Sequence, residues 1–169
     1  TATWNGAEVD LSDYNLAGRT VNISYWVKVE EATEINVTLQ EDTSDGADTA
    51  YNRLASSGDL TPGEWTQVTG TIEVGANTVK PILYFESPSE TASFTVDEVV
   101  ISFSAAAAAA PLEDISLTFN DENLFFANRG DGVPAIVAGG HDDDFAMQVT
   151  GRTATWNGAE VDLSDYNLA

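Results

Sequence analysis

Tyr84 and Glu86 stand two residues apart in PILYFES, a run that reads as a β-strand. A period of two puts both side chains on one face. A phenol ring beside a carboxylate is suited to a sugar: the C–H faces of a pyranose pack on aromatic rings, and its hydroxyls donate to acceptors. The other reactive residue types are scarce. There is no cysteine and only one histidine, His141. That excludes disulfides, thiolate catalysis and Cys-based zinc sites, and leaves a Ser-His triad without support. Carboxylates are abundant, with 28 Asp and Glu against six Lys and Arg and a net charge of −22. Glycoside hydrolysis needs two carboxylates at a defined separation, one of them an acid held in an apolar pocket. Among so many acids some pair fits by chance and nothing marks one out, so the expectation is a protein that is not an enzyme. The charge also argues against nucleic acid and against an anionic membrane surface. It favours a neutral ligand and bound cations such as calcium. The acids at 42–48 lack the twelfth-position glutamate of an EF-hand, and the run His141-Asp142-Asp143-Asp144 reads as a solvated loop.

Short strands separated by turns must position these residues. The candidates are 20–29, 34–40, 66–74, 79–86, 93–103, 115–120 and 145–150. Asp45-Gly46, Ser57-Gly58, Pro62-Gly63 and Gly130-Asp131-Gly132 are among the turn signals between them. Val21, Ile23, Tyr25 and Val27 alternate with Asn22, Ser24, Trp26 and Lys28. Tyr51 falls in a stretch that reads as loop, and Trp26 and Trp65 read as core. The expected fold is all-β, a two-sheet β-sandwich of jelly-roll type in one domain over 1–169.

Two features break the ordinary pattern of such a domain. Residues 1–17 and 153–169 are the same 17-residue string, TATWNGAEVDLSDYNLA, and residues 105–110 are six alanines. Six alanines cannot sustain a helix alone and read as a connector. If the original chain began near Pro111 and ended near Ser104, its order would run 111–169 and then 18–104. The connector would then join the old termini, a circular permutation of the kind compact domains tolerate. One domain has one place for the repeated segment, so the two copies are expected to compete for one slot.

In that order FAMQVTGRTATWNGAEVDLS, GEWTQVTGTIEV, PILYFESPS and FTVDEVVIS follow one another in a pattern that resembles the family 22 carbohydrate-binding modules. The resemblance covers nearly the whole chain apart from the alanines. It implies a non-catalytic sandwich that binds xylan or a mixed β-glucan in an aromatic-lined cleft. It implies a ligand set of Arg129, Trp4 or equally Trp156, Tyr51, Tyr84 and Glu86. It further implies a structural calcium, for which Asp97, Asn120, Asp121 and Asp142 are the candidates. The parent module would be extracellular, part of a secreted enzyme that degrades plant cell walls. Two alternatives remain beside it. An engineered chain could exchange the repeated segment between copies to form a homo-oligomer or to switch folds. A calcium-stabilised module could also be purely structural and bind no sugar.

Overall fold

A computed structural model describes residues 6–10, 16–43, 49–89, 91–104, 114–120, 127–129, 131, 133–141, 145–153 and 158–161, with 6–10, 127–129 and 158–161 described by backbone alone. The described residues form twelve strands. These are β1 (Gly6–Asp10), β2 (Thr20–Val29), β3 (Asn36–Thr43), β4 (Thr49–Ser56), β5 (Thr66–Glu73), β6 (Thr78–Glu86), β7 (Phe94–Ser104), β8 (Ile115–Leu117), β9 (Ala127–Arg129), β10 (Val133–Ala138), β11 (Phe145–Thr150) and β12 (Gly158–Val161). They make two sheets, ordered β4-β3-β6-β1-β12-β9 and β10-β11-β7-β2-β5, with β8 also paired to β7. The chain is an all-β two-sheet sandwich of jelly-roll type.

Alternation builds the core. Along β2, Val21, Ile23, Tyr25, Val27 and Val29 are buried while the residues between them are half-buried. They face Val37, Leu39, Leu83 and Phe85 of the other sheet, and Tyr25 meets Phe85 edge to face with centroids 4.9 Å apart. Each fully buried aliphatic side chain of this kind contributes about 1.5–3 kcal/mol of transfer free energy. The phenol oxygen of Tyr25 lies within this apolar layer, and burial pushes its pKa well above the ordinary tyrosine value.

Trp26 and Trp65 are not in the core, contrary to expectation. Position parity places Trp26 on the outer face of the second sheet with its neighbours Ser24 and Lys28. There His141 stacks on it at 3.5 Å between centroids with an interplanar angle of 16°. Trp65 meets the same imidazole edge-on at 6.0 Å, and the Lys28 Nζ lies 4.6 Å from the Trp65 centroid. Tyr51 lies in a strand rather than a loop, because β4 pairs along its length with β3.

The repeated segments also differ from expectation. They do not exclude one another: the β-strand of each copy enters the first sheet, and β1 and β12 pair parallel with Glu8 opposite Glu160 and Val9 opposite Val161. Equivalent residues of the two copies therefore lie side by side. β1 pairs on its other edge with β6, and β12 with β9, both antiparallel. Each copy holds a different flanking strand, which is how one sheet accommodates both.

Candidate functional site

The outer face of the first sheet carries a groove of about 440 Å³ over β4, β3 and β6. Register determines which residues meet in it. Arg53 of β4 lies opposite Thr38 of β3, which lies opposite Tyr84 of β6; Asn36 lies opposite Glu86. Core-facing Val37, Leu39, Leu83 and Phe85 alternate with these residues, so the same apolar contacts that build the core turn Asn36, Thr38, Tyr84 and Glu86 outward. A shift in register between Val37 and Thr38 adjusts β4 against β3. Glu41 ties the far end of β4 down. Its buried carboxylate accepts from Asn52 Nδ2 at 2.9 Å, the Gly75 amide at 2.8 Å and Thr78 Oγ1 at 3.3 Å.

Within the groove, Thr38 Oγ1 donates to Glu86 Oε1. Burial raises the pKa of Glu86, opposed by the Thr38 hydrogen bond and by the charges of Arg53 and Arg152. Arg152 is itself buried, with Nη1 donating to the Ala92 carbonyl at 2.6 Å. Burial pulls its pKa down to about 10, while Glu86 acts in the opposite sense. Tyr84 is only 1% exposed, so it forms groove floor and not an open stacking platform. Its phenol is pushed up by burial first, then by the charges of Glu86 and Tyr51. The open ring is Tyr51, 48% exposed. The groove thus combines one exposed aromatic, one cation in Arg53, and a floor of oxygen acceptors. A second groove of about 610 Å³ on the other sheet is larger, yet none of its lining residues is aromatic.

The structure gathers Tyr51, Tyr84 and Glu86 from the expected set. The backbone of Arg129 lies in β9 of the same sheet, opposite Gly158. Trp4, Trp156, Asp121 and Asp142 lie outside the described residues. Arg53, Asn36, Thr38 and Arg152 were missed in the sequence. Arg53 had a legible signal, since it stands two residues beyond Tyr51 and shares its face once the stretch is a strand.

Two of the expected calcium ligands, Asp97 and Asn120, accept from the backbone amides of His141 and Phe145. Asp97 is 3% exposed; its Oδ2 accepts from the His141 amide at 2.7 Å and its Oδ1 from the Glu98 amide at 2.8 Å. Asn120 Oδ1 accepts from the Phe145 amide at 3.3 Å. A Cβ on Gly140 would stand 2.7 Å from Asp97 Oδ2, so the loop backbone closes tightly on this carboxylate. Among the described residues, no three His, Asp or Glu gather into a metal cluster. The carboxylate of Asp97 and the Oδ1 of Asn120 are oxygens, the type that calcium takes, and here each of these atoms accepts from a backbone amide.

A family profile described as a carbohydrate binding domain matches residues 1–92, more than half the chain. Endo-1,4-beta-xylanase C of Paenibacillus barcinonensis is 26% identical over 98% of this chain. Endo-1,4-beta-xylanase A of Thermotoga maritima is 34% identical over 58% of it. The chain spans only 16% and 10% of those enzymes. Among solved structures, the first family 22 xylan-binding domain of the Paenibacillus enzyme is 26% identical with a TM-score of 0.57, covering 63% of this chain and 69% of that one. The tandem of its two family 22 modules is 25% identical with a TM-score of 0.57, covering 94% of this chain and 50% of that one. The chain is a binding module, without catalytic function, and it belongs to the carbohydrate binding domain family, with the family 22 modules as its structural relatives.

Proposed function

We propose that this module binds xylan, or a related neutral β-linked glucan, in the groove over β4, β3 and β6. The observation that carries the reading is the juxtaposition of the exposed Tyr51 ring with Arg53, Thr38 and Glu86 in one groove. A sugar ring would stack on Tyr51 and direct its hydroxyls to the acceptors of the floor, with Arg53 donating from the rim. Tyr84 would offer its phenol rather than its ring face. Arg129 would border the same ligand from β9, with Trp4 or Trp156 as a further platform. The acidic surface suits a ligand without charge. Isothermal titration with xylohexaose tests the proposal: a folded sample that gives no heat at millimolar ligand defeats it. In its source the module would be secreted as part of an enzyme that acts on plant cell walls.

A rearranged chain order accounts for the pattern of coverage. A sequential comparison of a permuted chain with one module can follow only part of it, whereas a tandem supplies the back of one module and the front of the next. The single module covers 63% of this chain; the tandem covers 94% and is itself half covered, one module's worth. The alanines at 105–110 would then stand where old termini meet.

Calcium, if bound, would be held by Asp97 and Asn120 together with Asp121 and Asp142. It would supply a cross-link between the last strand of the original order and the 139–145 loop. A second reading, self-assembly by exchange of the repeated segment, is favoured by the pairing of β1 with β12, since two identical strands that pair within a chain can pair between chains. Light scattering over a concentration series tests it, and a mass that stays monomeric throughout rules it out.

A further inference from the structure

We infer that Asn36 is a direct sugar-contacting residue of the groove, its side-chain carbonyl accepting a hydrogen bond from a ligand hydroxyl. The inference rests on the reading of the groove as a glycan site and adds a contact that fixes which hydroxyl pattern fits. Asn36 is 2% exposed and lines the groove, where it lies opposite Glu86. Its Oδ1 has no hydrogen-bond partner among the described residues. A buried amide oxygen left in this way keeps an unrepaid desolvation cost that a ligand donor can relieve.

The orientation of the amide is imposed by its neighbour. Asn36 Nδ2 donates to Glu34 Oε1 at 3.3 Å. An ionised carboxylate only accepts, so the NH₂ must face Glu34 and the carbonyl must face away from it. Glu34 also accepts from Ser56 Oγ at 3.4 Å, which anchors it to β4. Two acceptors thus lie on adjacent strands of the groove floor, the Glu86 carboxylate and the buried Asn36 Oδ1, which a hydroxyl reaches only by seating against the floor. A pair of acceptors on neighbouring strands suits a ligand with neighbouring hydroxyl donors, as a β-linked pyranose has. A site built to receive a hydroxyl discriminates strongly against an analogue that lacks it.

Asn36→Leu removes the polar atoms while keeping the branched shape and the number of heavy atoms. A merely structural asparagine would lose stability on this change. An unpartnered acceptor predicts the opposite split: a melting temperature equal to or above that of the parent, and a Kd for xylohexaose weaker by roughly three- to tenfold. Glu34→Gln serves as the second variant. Its amide no longer forces the Asn36 orientation, so binding should weaken by less than in Asn36→Leu. A parent that binds xylohexaose with Asn36→Leu unchanged in Kd overturns the assignment and leaves the groove reading intact. A parent that binds no glycan removes both. An Asn36→Leu protein that melts lower, with Kd unchanged in the surviving folded fraction, assigns Asn36 to the fold alone.

Discussion

Tyr51→Ala separates an exposed platform from a buried floor. Tyr51 is 48% exposed and Tyr84 1%. An aromatic side chain can bury roughly 150–250 Å², so about 100 Å² of Tyr51 is still open to a ligand. At ~25 cal/mol per Å² that area corresponds to about 2.5 kcal/mol if wholly covered. A pyranose covers one face of the ring, which halves the figure to about 1.2 kcal/mol, close to an eightfold change in Kd. Tyr51→Ala should therefore bind xylohexaose roughly eightfold more weakly by titration calorimetry, and Tyr51→Phe, which keeps the ring, within about twofold. Stability should change little, because Tyr51 is half exposed while Asn52, Leu54 and Ala55 hold β4 to the sheet and the core. Tyr84→Ala, in contrast, should lower the melting temperature, because it empties a buried site. If Tyr51→Ala binds like the parent while Tyr84→Phe loses binding, the ligand contacts the floor hydroxyl without stacking on Tyr51, and the assignment of Tyr51 as platform fails.

Two further outcomes follow from charge. Glu86 has a native pKa raised by burial, so the folded state holds its proton more tightly than the unfolded chain does. The stability this contributes is present below the ordinary carboxylate range and is lost as pH rises through the raised native value. Glu86→Gln should accordingly raise the melting temperature at pH 7, with the gain vanishing on acidification, and weaken xylohexaose binding about tenfold by removing a charged acceptor; a pH-independent stability difference contradicts the sign. Chelation with EDTA should lower the melting temperature if Asp97 and its neighbours hold calcium, by the equivalent of about 2.7 kcal/mol at a free ion concentration one hundred times Kd. Superimposable melts with and without chelator would remove calcium from the account.

Legibility in the sequence followed alternation. β2 and β11 have the boundaries expected from their sequences, β2 because it alternates apolar against polar throughout, and β11 because its apolar stretch is closed by Gly151. β4 was illegible: its first five residues are all exposed, so no apolar period marks it, and pairing with β3 alone makes it a strand. That one omission hid Arg53. β10 carries Pro134, which argues against a strand interior, and it is tolerated here because β10 is the edge of its sheet. Trp26 shows residue type misleading where parity does not: its position among Asn22, Ser24 and Lys28 already set it on the outer face. Asn36 carries no sequence signal at all. Its significance comes from the hydrogen bond of its amide to Glu34 and from an unfilled acceptor opposite Glu86, both visible only in the folded chain.

The repeated segment bears directly on the width of the site. Asn36, Glu86 and Gly6 occupy one cross-strand row, and Gly158, the same residue in the second copy, lies opposite Arg129. Between Glu86 of β6 and Arg129 of β9 the sheet therefore interposes two strands, each with glycine at this level, and glycine raises no side chain above the floor. Three strand steps of roughly 4.8 Å separate β6 from β9 by about 14 Å; with one copy the separation is two steps, about 10 Å. The chain with two copies thus sets its acceptors and Arg129 one strand further apart than a single-copy module would. Each copy already holds one of the two flanking strands, so either alone can bridge them. A chain lacking 154–169, and separately a chain lacking 1–15, should fold and bind xylohexaose several-fold more tightly than the full chain, because Glu86 and Arg129 then border the same sugar rings. If either deletion abolishes binding in a folded protein, the two copies are not equivalent and the site depends on the lost one. If both bind like the full chain, Arg129 stands outside the ligand's reach and the groove over β4, β3 and β6 acts alone.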